Sequence, residues 1–341
     1  MNTDSFIVVG ENIHCTRIVK RGGARMTTAD ARQEAVTFTY QGEDRLLMVP
    51  ENWDVISPAF KSGKCKHVAL AIWQALHGNG DNQQAGLDYI QYVAEAQIQK
   101  GATFLDVNVD EYASDPKVTI EIMGWLCQFL SERYDTPLSI DSSNPDLIAA
   151  GLANCRKDIR PPMVNSVSLE RMDIIGLIKQ YEADAIVGAS GHHDLPADAQ
   201  GRLDNLAELM PAIEQAGISR CKLHIDPLVL PISTDSTNGK HFLDATRFCK
   251  ERYPECHFNG GLSNVSFGMP NRKLLNMVFI WLCMDAGTDG GIIDPVVISP
   301  AAVTKLDPES EPFRLAKAVL TGEDIFGMDY ITAHREGRLK L

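Results

Sequence analysis

Thr103-Phe104-Leu105-Asp106-Val107-Asn108 is a short apolar run that closes on an acid and an amide. The chain then reaches Asp115-Pro116 and an amphipathic stretch that places Val118, Ile122, Trp125, Leu126 and Phe129 on one face. Aspartate before proline reads as an N-cap with proline at the first helical position. The device recurs at once: Leu138-Ser139-Ile140-Asp141 is again apolar and ends in an acid, and Asn144-Pro145 opens the next helix. A β-run, a polar end and a capped helix make one βα unit.

Working outward, six further runs complete the pattern: Phe6–Gly10, Met163–Ser166, Ala185–Gly188, Cys221–Asp226, His257–Gly261 and Gly290–Asp294. After the first, they recur roughly every 30 residues, the length of a βα unit. Between them, Leu87–Gln99 and Leu274–Cys283 carry apolar residues at helical spacing, and Gly101 stands just past the first of these. Strict alternation predicts a parallel sheet, and eight units predict closure into a TIM-type (β/α)8 barrel spanning residues 1–341 as one domain. No GxGxxG follows the first run, which removes the mark of a dinucleotide-binding sheet. One segment interrupts the rhythm. Residues 21–84 separate the first run from its helix and include an amphipathic piece, Val68–Leu76, with Ala69, Ile72, Trp73 and Leu76 on one face. A connection this long is seldom structureless, so it reads as an insertion at the barrel mouth.

The 341 residues are 44% apolar, enough for a large core, and carry a formal charge of −13 with a pI near 5.1. That balance argues against nucleic acid and anionic membranes, both of which want clustered positive charge. The eight cysteines form no CxxC pair and read as reduced, mostly buried thiols. The first residues lack a basic and an apolar leader region, so a cytoplasmic location is expected.

Barrel active sites are built at the C-terminal ends of the strands. Here those ends carry Glu11-Asn12, Asp106 with Asn108, Asp141-Ser142-Ser143-Asn144, Asn165-Ser166, His192-His193, Asp226-Pro227, Ser263-Asn264 and Asp294-Pro295. The plain reading of each alone is an N-cap for the next helix. That suits Ser142, Ser143 and Asn144. Asp106, Asn108, Asp141, Asn165, Asp226 and Asn264 lie inside or directly after apolar runs and are expected to point into the mouth. No thiolate cluster, HExxH or GxSxG is present, so neither a catalytic metal nor a serine hydrolase is expected. A glycosidase carboxylate pair leaves the amides unexplained. A flat heterocycle fits better. The 2-amino group and N3–H of a pterin donate in parallel to one carboxylate, as arginine does, and asparagine supplies both donor and acceptor for the remaining edge.

Leu105-Asp106-Val107-Asn108-Val109, Ile140-Asp141-Ser142-Ser143-Asn144, Val164-Asn165-Ser166, Ile225-Asp226-Pro227-Leu228-Val229-Leu230-Pro231 and Gly261-Leu262-Ser263-Asn264-Val265-Ser266-Phe267-Gly268 resemble the pterin-binding methyltransferases. The likeness is greatest to methyltetrahydrofolate:corrinoid/iron–sulfur protein methyltransferases. The folate domain of cobalamin-dependent methionine synthase is a nearer cousin than dihydropteroate synthase. The resemblance implies that Asp141, Asn165 and Asp226 hold the pterin edge, with Asp106 and Asn108 nearby. It implies that Gly261 and Ser263 line the pocket, that Arg272 faces the aminobenzoyl-glutamate tail or the rim, and that Asn264 is the catalytic amide at N5. It implies methyl transfer between N5 of tetrahydrofolate and the cobalt of a corrinoid, with tetrahydrofolate as acceptor if the chain serves a demethylation pathway. The DxHxxG cobalamin signature is absent, so the corrinoid is expected on a partner protein, and a homodimer is expected from the likeness alone. The alternatives are a dihydropteroate synthase-like enzyme, which needs basic residues missing around Asp294-Pro295, and a non-catalytic pterin-binding subunit, which has no use for Asn264.

Overall fold

In chain order the strands are β1 (Ile7–His14), then β2 (Ile18–Lys20), β3 (Met26–Ala29), β4 (Gln33–Tyr40), β5 (Glu43–Met48) and β6 (Lys64–Lys66) of the excursion that follows it. Then come β7 (Phe104–Asn108), β8 (Leu138–Asp141), β9 (Met163–Val167), β10 (Asp184–Gly188), β11 (Leu223–Asp226), β12 (His257–Phe258) and β13 (Gly290–Ile293). The structure is a computed structural model and describes residues 5–29 and 33–340. One parallel sheet takes the order β12-β11-β10-β9-β8-β7-β1-β13. Its two ends meet: Asp289 donates its N–H to the Phe258 carbonyl at 3.2 Å, Ile292 to that of Gly260 at 2.9 Å, and Gly261 bridges to Ile292. Eight parallel strands with helices between them form the expected nearly closed barrel.

The helices start where the caps were read. Asp115 accepts from the Lys117 N–H at 3.0 Å and opens Pro116–Ser131; Asn144 accepts from the Asp146 N–H at 2.9 Å and opens Pro145–Ala153. Several features differ from the sequence reading. β1 runs on to His14, because Ile13 (1% exposed) returns to the core after the half-buried Glu11 and Asn12. The first long helix starts at Asp81 instead of Leu87, since Asn82-Gln83-Gln84 is a polar first turn that apolar spacing cannot reveal. Arg220–Lys222 forms a 3₁₀ turn, so β11 begins at Leu223. The expected run His257–Gly261 makes a ladder over His257–Phe258 only, and the Gly260-Gly261 pair leaves it irregular. Val118, expected in the core, is 39% exposed, for it sits in the first turn of its helix.

Two compact units divide the chain. The first comprises the residues up to Gly10, Lys100–Phe104 and Pro161 to the end. Its strands bury Ile7, Val9, Phe104, Met163 and Ile186 as one cluster, with Ile292 packed against it. Full burial of such side chains stabilises by about 1.5–3 kcal/mol each. The second comprises Glu11–Gln99 and Leu105–Arg160. There β7 pairs with β8 in the register Leu105↔Leu138 and Val107↔Ile140.

The excursion also belongs to the second unit. β3, β4 and β5 form an antiparallel sheet, β2 pairs with β6 as Ile18↔Lys66 and Lys20↔Lys64, and the Arg21 N–H reaches the Gly63 carbonyl at 2.9 Å. The amphipathic piece Val68–Leu76 lies in the helix His67–His77, which crosses Asp81–Ile98 closely. Gly86 makes that crossing possible: a Cβ there would stand 2.4 Å from the Ala75 nitrogen. No helix among the described residues is long and apolar enough to cross a membrane.

Candidate functional site

The polar strand ends of the second unit form one buried cluster. Asp106, on β7, is fully buried, and its Oδ2 stands 2.8 Å from Nε2 of His14 at the end of β1. Asn108 donates its Nδ2–H to Asp141 Oδ2 at 3.0 Å, while its own Oδ1 accepts the Asp110 N–H at 3.1 Å. One atom from each of His14, Asp106 and Asp141 lies within 4.8 Å of the others. All three groups already have hydrogen-bond partners without a cation: His14 and Asp106 have each other, and Asp141 has Asn108. Burial, reinforced by the Asp106 charge, pushes the Asp141 carboxyl up to about 7 against the pull of His14 and the Asn108 bond. Burial lowers the His14 imidazole, but the hydrogen bond and charge of Asp106, joined by Asp141 and Glu11, outweigh it and leave the imidazole above its ordinary value. Glu11 is raised by burial despite Arg17, whose guanidinium sits 2.8 Å from it. Asn144 caps as expected, but Ser142 does not: it accepts the Asn144 N–H at 3.0 Å and donates to Asp110 at 2.6 Å, which steadies the turn before the cap.

The first unit carries the rest. Asn165 and Ser166 lie on β9 where its register with β10 slips, so that Ile186 faces Asn165 but Val187 faces Val167. Asp226 ends β11 and accepts the Leu228 N–H at 2.8 Å. Burial pushes its carboxyl up to about 6, opposed by that bond and by the charge of Arg202. Arg202 is wholly buried, and its guanidinium donates to the carbonyls of Pro227 at 2.6 Å, Asp198 at 2.7 Å and Leu228 at 3.3 Å. It thereby fixes the turn that follows Asp226.

After β12 the chain enters the 3₁₀ turn Leu262–Ser266, which carries Ser263 and Asn264. Arg272 is exposed and donates to the Ser263 carbonyl and to Ser266 Oγ, both at 3.0 Å, with its guanidinium over the Phe267 ring. It braces this turn. Asn264 is half-buried, and its side-chain amide makes no hydrogen bond with any described residue. A Cβ on Gly261 would come within 2.8 Å of Asn264 Nδ2, so only glycine leaves that amide its place.

Asp106, Asn108, Asp141, Asn165 and Asp226 thus lie on strands of the barrel sheet at or near their C-terminal ends, whereas Gly261, Ser263 and Asn264 lie in and before the turn that follows β12, and Arg272 opens the next helix. His14 and Arg202 were missing from the sequence-derived site, and Glu11 was placed at a strand end without a role. The signal for His14 was its place after buried Ile13 in a strand that was read too short. Arg202 gave none, since an arginine on an amphipathic helix normally reads as solvated. The second unit offers a carboxyl poised near neutrality beside a carboxylate-held imidazole; the first offers a second such carboxyl and, among the described residues, an amide without a hydrogen bond.

A family model described as pterin binding enzyme matches residues 81–294. A methylcorrinoid:tetrahydrofolate methyltransferase from Eubacterium limosum is 30% identical over 257 residues, covering 74% of this chain and 89% of that protein. The dihydropteroate synthase of Xanthomonas albilineans, solved with 4-aminobenzoic acid, aligns with a TM-score of 0.52 at 18% identity, over 66% of this chain and 87% of that one. The Coxiella burnetii dihydropteroate synthase in complex with pteroic acid gives 0.50 at 15% identity, over 63% and 84%. At such identities the likeness to the two synthases is one of fold.

Proposed function

The chain belongs to the pterin-binding enzyme family, and from that premise we propose that it moves a methyl group between N5 of tetrahydrofolate and the cobalt of a corrinoid held by a separate protein. The observation that carries this reading is Asn264. A half-buried amide that has no hydrogen-bond partner among the described residues, kept clear by Gly261 in a braced turn, is placed to serve a ligand atom. The name of the Eubacterium limosum relative supports the same chemistry.

Asp141, Asn165 and Asp226 hold the pterin edge in this reading. A carboxylate near neutrality ionises readily once the 2-amino group and N3–H of a pterin present two parallel donors. Asp106 and Asn108 support Asp141, Ser263 and Gly261 line the approach to N5, and Arg272 keeps the turn in shape. Transfer to tetrahydrofolate breaks the Co–C bond with both electrons left on cobalt, makes the C–N5 bond from the N5 lone pair, and sheds the N5 proton. The Asn264 carbonyl oxygen accepts the N5–H and aims the lone pair at the methyl group. In the opposite direction its N–H donates to N5 as the amine leaves. Such preorganised help is typically worth about 3–4 kcal/mol.

Mixing the protein with methylcobalamin and saturating tetrahydrofolate, and following the cobalamin spectrum, tests the proposal. Loss of the methylcobalamin bands is expected. An unchanged spectrum at saturating protein removes the methyltransferase reading.

A further inference from the structure

Among the described residues Arg202 alone of the arginines is wholly buried, and it makes no ion pair with any of them. A charge taken out of water is costly unless it is paired, so the fold carries this side chain at a cost that a neutral one would avoid. Its donors hold two separate loops of the first unit. Nη1 reaches the carbonyls of Asp198 at 2.7 Å and Pro196 at 3.5 Å, in the loop after β10. Nε and Nη2 reach those of Pro227 at 2.6 Å and Leu228 at 3.3 Å, in the turn after β11. Leu228 stands at a φ of 67°, which residues with a side chain seldom adopt. Its carbonyl is held by Arg202, while its N–H pins Asp226 Oδ1 at 2.8 Å. Asp226 Oδ2 makes no hydrogen bond with any described residue. We propose that Arg202 is a positioning residue for Asp226. Through the Leu228 turn it orients the carboxylate, and through its charge it favours the ionised form that receives a ligand edge with two parallel N–H donors.

Among the described residues no other charged group acts on this carboxyl: the Arg202 charge and the Leu228 N–H pull it down against burial. The elements packed beside it bring none. After β10, Ala189 gives its N–H to the Asp226 backbone carbonyl at 3.0 Å. After β12, Gly260 leaves room, since a Cβ there would stand 3.2 Å from Asp226 Oδ1 and 3.1 Å from the Phe242 ring. Arg202 in turn faces two acids, Asp226 and Asp198. The Asp198 carboxylate is engaged as the cap of the helix Ala199–Gln215, where it accepts the Gly201 N–H at 2.9 Å. That leaves Asp226 as the acid whose charge the guanidinium balances. A methionine of similar length would lose both the charge and the fork. A lysine would keep the charge as a point donor, without the planar fork that spans the two carbonyls of the turn. The inference rests on the pterin reading of Asp226 and adds to it the group that prepares the carboxylate.

The test follows the Asp226 carboxyl by ¹³C NMR in the ligand-free protein, and tetrahydrofolate affinity by calorimetry, in Arg202→Met and Arg202→Lys. Arg202→Met is expected to raise the titration midpoint of the carboxyl by about 0.5 pH unit or more. The pH below which tetrahydrofolate affinity drops should rise with it. Arg202→Lys should hold the midpoint within about 0.3 pH unit of wild type, because the charge remains. Its affinity at pH 8 should still fall about fivefold or more, because a point donor cannot hold both carbonyls of the turn. Lower melting temperatures with an unmoved midpoint in Arg202→Met mark a purely structural role and overturn the proposal. Should Arg202→Met not fold, Arg202→Lys decides, and undiminished affinity at pH 8 overturns it. A wild-type protein that binds no tetrahydrofolate brings down the pterin reading, whatever the NMR titration shows. A wild type that binds it, with a midpoint indifferent to Arg202, defeats only this inference.

Discussion

Asn264 and Gly261 act as a pair, and their variants should fail in the same way. Asn264→Ala is expected to slow methyl transfer by about 10²–10³-fold, the cost of one preorganised hydrogen-bonding group, while tetrahydrofolate binding changes little; equal losses in rate and affinity would contradict the role given to the amide. Gly261→Ala places a Cβ within 2.8 Å of Asn264 Nδ2 and should reproduce that phenotype with little loss of melting temperature. Asp226 behaves differently. In the proposed function its carboxylate form receives the pterin donors, and burial lifts its carboxyl to about 6. Affinity for tetrahydrofolate is therefore expected to drop as pH falls below about 6, with proton release on binding near that pH, both measurable by calorimetry. Asp226→Ala should weaken binding at every pH, and unchanged affinity removes the assignment. Asp141, Asp226 and Asn264 were legible in the sequence because an acid or amide closing an apolar run is costly unless something answers it. Arg202 was illegible: what buries it is the turn after Asp226, and no spacing along its own helix encodes that.

At the scale of elements, the excursion after β1 hangs from a narrow stem. β2 and β6 pair, and the backbones of Arg21 and Gly63 meet at 2.9 Å, so everything between them can be exchanged for a two-residue Asn-Gly turn. The shortened protein loses the packing of Phe38 on Tyr89 and the Tyr40–Glu95 hydrogen bond, and should melt several degrees lower. If the excursion receives the corrinoid protein, transfer from free methylcobalamin will survive the deletion while transfer from the protein-borne corrinoid drops at least tenfold. Equal activity with both donors would reduce the excursion to decoration. Its helix at His67–His77 was visible from apolar spacing. Its three-stranded sheet was not, because β3 and β5 are short, largely exposed strands whose polar residues carry no burial pattern.

For the molecule as a whole, raised carboxyls set a pH dependence of stability. Asp141 and Asp226 have folded-state values of about 7 and about 6, above the ordinary aspartate range. A raised folded value stabilises at low pH, in full below about 4, and the contribution is lost as pH rises through 6 and 7. Thermal unfolding from pH 5 to 8 should therefore show a shallower decline in Asp141→Asn than in wild type, with the variant the more stable of the two at pH 8. Coincident profiles would show that the carboxyl is not perturbed. The barrel itself was readable because β and α periods alternate without a break from β7 onward. The closing seam was not: it depends on two glycines and a two-residue strand, β12.

The stem formed by β2 and β6 has a consequence for descent. A loop whose two ends nearly touch can be gained, lost or traded in one genetic event without moving the barrel strands on either side. If the excursion receives the partner protein, such a cassette lets a lineage change the company the enzyme keeps while the barrel strands stay as they were.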